Sequence, residues 1–237
     1  CASHEKGKVL KLAHGLDTTH PVHKAMEFMA KRCDELSGGK LNIQIYPSGQ
    51  LGSEQQCVEL LQIGSLAITK VSAAVMEGFT DDYKVLGLPY IFRSDEHFYK
   101  VMDGEIGDEI LASSEPYWIR GLCFYDAGSR SFYTKDKPIE KPEDLKGLKI
   151  RVMKSVVSMN LIKALGGSPT PISFGELYTA LQSGVVDGAE NNPPSFYTSH
   201  HYEVCKYYSL NEHSRIPDVL IISLKVWDSL TEEEKSW

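Results

Sequence analysis

Apolar and polar positions alternate over residues 9–14 and again at Leu41, Ile43 and Ile45, the two-residue period of a half-buried strand. Between them Val22, Ala25, Met26, Met29, Cys33 and Leu36 recur at helical spacing. A helix is therefore predicted to open at Thr19-His20-Pro21, where proline suits the first turn, and to end at Gly38-Gly39. Ser53 and Gln56 stand at capping-box spacing and predict a second helix, and residues 66–71 read as a third strand. The order strand, helix, strand, helix, strand predicts a parallel sheet with helices on both faces.

The second half repeats the pattern. Leu61-Gln62-Ile63-Gly64 closes a helix before the apolar run 65–71, and Leu181-Gln182-Ser183-Gly184 closes another before 185–189. Each helix follows a turn containing Pro and Gly, 46–52 and 168–175. Further strands are predicted at 119–124, 131–134, 148–153, 202–209 and 218–225. Helices are predicted at 97–111, interrupted by glycines, at 155–165 and from Thr231, where Glu234 completes a capping box. Ser173 with Glu176 predicts one more such box. Doubling of one unit predicts two similar α/β lobes with a cleft between them, and ligands of open α/β sheets bind beyond the carboxyl ends of the strands. The expected division is a tether at 1–8, a first lobe at 9–125 and a second at 126–210. Crossing segments are expected near 86–90 and 119–130, and a return strand with the start of a C-terminal helix at 211–237.

The 237 residues are 42% hydrophobic and 24% charged, ordinary for a globular protein, and the formal net charge is −7. That sign gives no basis for a nucleic-acid partner or an anionic membrane surface. An anionic ligand would need cations gathered locally against the overall field. No run is long and apolar enough to span a bilayer. Cys1, followed by the polar leader 2–8, has the look of a lipoprotein start after signal cleavage. Cys33 and Cys57 fall on helix positions and Cys123 and Cys205 on strand-like runs, where buried free thiols are expected.

Two arginines carry the candidate chemistry. In strand 148–153, Ile150 and Val152 share one face, so Arg151 faces the other way, near the strand's cleft end. Arg130 follows the turn 126–129. Two guanidinium forks converging on a cleft suit a carboxylate. His14, at the end of the first strand, and Lys70, within the third, are polar candidates for the same cleft. His20 and His23, three apart at a helix start and near Asp17 and His14, do not make a clear four-ligand set, so no metal is expected. His200-His201 reads as surface. A hydrolase built on Cys123 or Ser129 would need a paired base and an elbow motif, and neither is present; no catalysis is expected.

The runs LKGLKIRVM, GGSPTPISFGELYTALQSGVVDGAENN, SGGKLNIQIYPSGQLGSEQQCVELLQIGSLAI and GLPYIF together resemble the solute-binding proteins of TRAP transporters, the DctP-type family. The resemblance covers nearly the whole chain from about Val9. It implies two hinged α/β lobes of the periplasmic binding protein type II kind. It further implies a monomer without cofactor that hands a small organic acid to ion-driven TRAP permease subunits. The location implied is periplasmic, with contact to the membrane only through a lipid on Cys1. The family's carboxylate-binding arginine, in its K-x-R-V motif, matches Arg151, and its frequent second arginine matches Arg130. Asn191 and Asn192 match the D-G-x-E-N motif, Phe174 the aromatic before G-E-L-Y, Ser72 the polar position after the third strand, and Glu54 the ligand-facing residue after Q-L-G. Lys70 stands where the family favours an apolar residue. Family members also run on into helices spanning both lobes, beyond the position of Trp237. The segments T-H-P-V-H and F-Y-D-A-G-S-R-S-F-Y look like the subset that binds hexuronates such as glucuronate or galacturonate. Dicarboxylates, keto acids, sialic-type acids and a ligand-sensing role stay open.

Overall fold

The computed structural model describes residues 7–237; the expected lipid site at Cys1 lies outside the described residues. The first lobe carries β1 (Lys8–Ala13), α1 (Pro21–Ser37), β2 (Leu41–Tyr46), α2 (Glu54–Gln62), β3 (Ile68–Ser72), α3 (Ala73–Met76), α4 (Asp95–Met102), α5 (Glu105–Ala112) and β4 (Ile119–Tyr125). The chain then builds β5 (Arg130–Thr134), β6 (Lys149–Val152), α6 (Val156–Ala164), β7 (Ser168–Pro171), α7 (Leu177–Gln182), β8 (Gly188–Asn191), α8 (Pro193–Thr198) and β9 (Tyr207–Ser214). It finishes with β10 (Asp218–Ser223), α9 (Leu224–Asp228) and α10 (Glu232–Ser236).

The strands form two five-stranded sheets of the same design, β2-β1-β3-β10-β4 and β7-β6-β8-β5-β9. In each, three parallel strands are followed by one antiparallel strand that arrives from the other lobe. β4 crosses into β5 through residues 126–129, and β9 crosses back into β10 through 215–217. The sheets are thus mixed, not wholly parallel, because each lobe lends the other a strand. The two crossings are tied to each other: Arg215 Nη2 lies 2.5 Å from Asp126 Oδ2, and Arg215 Nε donates to Asp126 Oδ1 at 3.2 Å.

Packing explains the apolar run in β10. Val219 and Ile221 enter one core and Leu220 and Ile222 the other, so the strand is buried on both faces of the first sheet. In the second lobe Tyr133 and Ala189 face one core and Phe132, Ile150 and Val152 the opposite one. The predicted stripe of α1 holds at Val22, Met26 and Cys33, whereas Leu36 is exposed and Ser37 turns inward.

Several expectations are corrected. Lys8 opens β1 and is not part of a tether. Residues 86–90 do not carry the chain between lobes, since β3 before them and β4 after them share one sheet; they abut the second lobe instead, with Tyr90 N donating to His213 O. β7 occupies part of the supposed turn 168–175; its two prolines are tolerated because it is an edge strand. The last strand of the second lobe is β9 (Tyr207–Ser214) and not 202–209, because residues His201–Glu203 form a short helical turn. Ser53 and Gln56 do form their capping box. Ser173 does not: its hydroxyl bonds the Glu176 carboxylate and leaves the backbone uncapped.

His201 is buried, contrary to the surface reading. It stacks on Tyr133 and shares a hydrogen bond with its hydroxyl at 2.9 Å. His14 Nδ1 accepts from Leu16 N, so its other nitrogen carries the proton and donates to His23 Nδ1 at 2.9 Å. Burial lowers three of the rings: His14 to about 3, His20 to about 4 and His201 to about 4. An unfolded histidine titrates near 6.5, so between pH 6.5 and 4 the unfolded chain takes up protons that the folded one refuses. Stability must fall as pH falls through that window. Glu77, raised by burial, acts in the opposite sense. Melting curves in the ligand-free protein should therefore show the transition dropping by several degrees between pH 6.5 and 4.5. A flat profile there would contradict neutral burial of these rings.

Candidate functional site

The carboxyl ends of the parallel strands of both sheets meet across one hollow, where open α/β sheets bind ligands. Its outer part, about 320 Å³, lies between the loops after β2 and β7 and the first turn of α2. That is at the small end of the range for small-molecule sites, roughly 300–1,000 Å³. A deeper recess of about 40 Å³ continues inward, and Glu54, Arg151, Met153 and Phe174 line both. Gly52, at φ +115°, shapes the approach to α2 in a conformation that side chains rarely adopt.

Arg151 is 2% exposed. Strand alternation puts it opposite Ile150 and Val152, as the sequence pattern predicts. Its one hydrogen bond among the described residues runs from Nε to the Ile172 carbonyl at 2.8 Å, and Nη1 is buried without a partner. Burial pulls the guanidinium below its ordinary pKa. A buried charge in this condition is costly unless an anion reaches it.

Arg130 is differently placed. Nε lies 2.5 Å from Glu190 Oε2, Nη2 bonds Glu190 Oε1 and its carbonyl, and Nη1 bonds Asn191 Oδ1 at 2.8 Å. Burial pushes this guanidinium down, but Glu190 outweighs it and holds it above its ordinary value. The same pair holds Glu190 down to about 2 against its burial. Arg130 lines the recess, yet its fork is already occupied, which corrects the expectation of two converging clamps.

The inner end is built on Lys70, 1% exposed. It lies 3.1 Å from Asp218 Oδ1 and 3.3 Å from Glu54 Oε1, which also accepts from Ser72 N at 3.3 Å. Two carboxylates against one ammonium leave an acceptor-rich wall. Asn191 and Asn192 line the recess with their carbonyl oxygens committed, to Arg130 and Asn192 N in one case and to Ser195 N in the other. Their NH₂ groups make no protein hydrogen bond among the described residues and stay available as donors. Phe174 lies edge-on to His201 at 5.9 Å and supplies an apolar wall.

Eight of the nine residues expected at the cleft line it: Arg151, Arg130, Asn191, Asn192, Phe174, Glu54, Ser72 and Lys70. His14 does not. Both its ring nitrogens are bonded within the first lobe, and it props the loop at Gly15 and Leu16 that does line the hollow. Asp218 and Ser195 join the lining without any sequence signal. Asp218 faces the site because β10 runs antiparallel beside β3, pairing Asp218 with Ser72, a register no local pattern encodes. Among the described residues no cluster of potential metal ligands occurs, and no helix is long and apolar enough to cross a membrane.

Residues 12–237 match the model for bacterial extracellular solute-binding proteins, family 7. An uncharacterised protein of Salmonella typhimurium, YiiZ, is 41% identical over 228 residues, 96% of this chain and 69% of its own length. The chain spans 65% of the next curated relative, a solute-binding protein of Chromohalobacter salexigens, at 37% identity over 92% of this chain. Among solved structures, a TRAP periplasmic solute-binding protein from Xanthobacter autotrophicus with bound β-D-galacturonate is 43% identical. Its TM-score is 0.93, over 96% of this chain and 76% of that one. A counterpart from Anaerococcus prevotii with bound D-glucuronate is 43% identical with a TM-score of 0.94, over 97% and 75%. With a two-lobed fold, a cleft built from strand ends and a match over nearly its whole length, this chain belongs to family 7 of the bacterial extracellular solute-binding proteins.

Proposed function

We propose that this protein captures a hexuronate such as glucuronate or galacturonate in its interlobe cleft and delivers it to the membrane permease of a TRAP transporter. The observation that carries the reading is the buried, unmatched guanidinium of Arg151. It calls for a carboxylate, whose two oxygens take the donors left free. The remainder of the ligand meets the carboxylates of Glu54 and Asp218, which accept hydrogen bonds from hydroxyl groups, and the free amides of Asn191 and Asn192. One acid end and one polyhydroxy end is the pattern of a sugar acid. A dicarboxylate of similar length would press its second charge against Glu54 and Asp218. The two solved relatives described above hold galacturonate and glucuronate, which supports the same choice. The protein acts by binding, without catalysis, as a monomer outside the cytoplasm, with Cys1 as its lipid attachment point.

A ligand that binds only the folded form raises the melting temperature in proportion to RT ln(1 + [L]/Kd). Galacturonate or glucuronate at millimolar concentration should give a clear upward shift. Galactose, which lacks the charge, and galactarate, which adds a second carboxylate, should give little or none. Equal shifts with galactose would remove the case for an acid anchor, and a galactarate shift matching galacturonate would remove the case for a polyhydroxy inner end.

The two arginines should separate cleanly. Arg151→Met removes an unmatched buried charge, so the ligand-free protein should melt no lower than wild type, yet lose roughly 2–5 kcal/mol of uronate binding. That is about 30-fold to several thousand-fold in Kd. Arg130→Met leaves the buried Glu190 carboxylate with only His213 Nε2, 3.6 Å away, so it should destabilise the fold by about 3–5 kcal/mol. Calorimetric titration with melting curves on both variants checks this; an Arg151→Met protein that binds within a few-fold of wild type would falsify its role as the anchor.

A further inference from the structure

His20 touches the second lobe but has no place in the anchor just described. It is 1% exposed and stands at the N-cap of α1, where Nδ1 accepts the Val22 amide at 3.2 Å. An amide can only donate, so Nδ1 carries no proton and the neutral ring bears its proton on Nε2. Nε2 lies 3.1 Å from Ser195 Oγ, in α8 of the opposite lobe. The bond therefore has one direction, with His20 donating and the serine oxygen accepting.

That direction decides what Ser195 can do. Its Oγ makes no other hydrogen bond among the described residues, so the hydroxyl proton has no protein acceptor. Ser195 is 4% exposed and lines the same recess as Arg151, Asn191 and Asn192. A buried hydroxyl whose proton is unplaced, facing a ligand recess, is completed by an acceptor oxygen of the ligand. The lowered pKa of His20, from burial first and Lys70 second, keeps the ring in the neutral form this chain of donors requires.

We infer that His20 and Ser195 form a ligand-completed latch: His20 reaches across the cleft to orient the Ser195 hydroxyl, which donates to an acceptor oxygen of the bound sugar acid. The inference rests on the sugar-acid reading of the cleft and adds how closure is coupled to it. Each bond strengthens the other. The ligand fixes the hydroxyl proton away from His20, and His20 fixes the hydroxyl toward the ligand. Because one residue belongs to each lobe, the pair exists only when the lobes are together, so a ligand contacting Ser195 biases the closed form. His20 is a positioning residue, acting on the ligand through Ser195.

A double-mutant cycle tests it. Ser195→Ala removes the hydroxyl. His20→Asn keeps an N-cap oxygen for α1 but is too short to reach Ser195. With galacturonate as probe, each single variant should bind about tenfold more weakly, mostly through faster dissociation. The double variant should be no weaker than the weaker single, because the two residues act as one unit. Multiplied losses in the double variant, or wild-type affinity in Ser195→Ala, overturn the latch. If wild-type protein binds no hexuronate, it is the ligand reading that fails. The latch is then decided on ligand-free protein by small-angle scattering, where both variants should show a larger radius of gyration than wild type and an unchanged radius overturns it.

Discussion

The guanidinium of Arg151 is the constraint on which the site depends. The fold buries a full charge at the seam of two lobes and supplies one backbone carbonyl to meet it. The other two cations of the recess are compensated by the protein itself: Arg130 by Glu190, and Lys70 by Glu54 and Asp218. The contrast separates structure from function. The matched pairs hold the walls in place, and the unmatched one defines what the cleft lacks. Such a residue weakens the empty protein, and in the proposed reading the carboxylate of the ligand relieves that cost. With a formal charge of −7 the overall field disfavours an anion, so the proposed ligand needs a local cation such as Arg151.

The exchange of strands between the lobes is what makes the recess possible. Because β5 arrives from the first lobe and β10 from the second, the first residue of each stands at the seam: Arg130 on one and Asp218 on the other. Each strand then pairs with the carboxyl end of a parallel strand, Ser131 with Asn191 and Asp218 with Ser72. The same two crossings, joined by Arg215 and Asp126, are the covalent links on which one lobe can move against the other. Across the seam α1 and α8 meet where His20 Nε2 lies 3.1 Å from Ser195 Oγ.

Much of this is legible in the sequence, and the failures have physical causes. Alternation in β6 is enough to place Arg151 on the cleft face, because strand geometry leaves no other choice once Ile150 and Val152 are core. The doubled unit ending in Gly64 and Gly184 announces two lobes. What stays hidden is non-local. Nothing near Arg130 signals that Glu190, sixty residues on, occupies its fork. β7 escapes a sequence reading because Pro169 and Pro171 disfavour a strand, a rule that an edge position suspends. His201 follows a polar neighbour and a turn, and only packing against Tyr133 and Phe174 draws it inside. The strand end points His14 toward the cleft, but a bond to Leu16 N bends its ring back into the lobe.

A crystal structure of the protein grown with galacturonate would show directly what meets the Arg151 guanidinium. The sugar should be enclosed between the lobes, its two carboxylate oxygens within hydrogen-bond distance of Arg151 Nη1 and Nη2, and its hydroxyl groups turned toward Glu54 and Asp218. A sugar bound in the opposite sense, with its carboxylate beside Lys70 and Arg151 still unpaired, would contradict it.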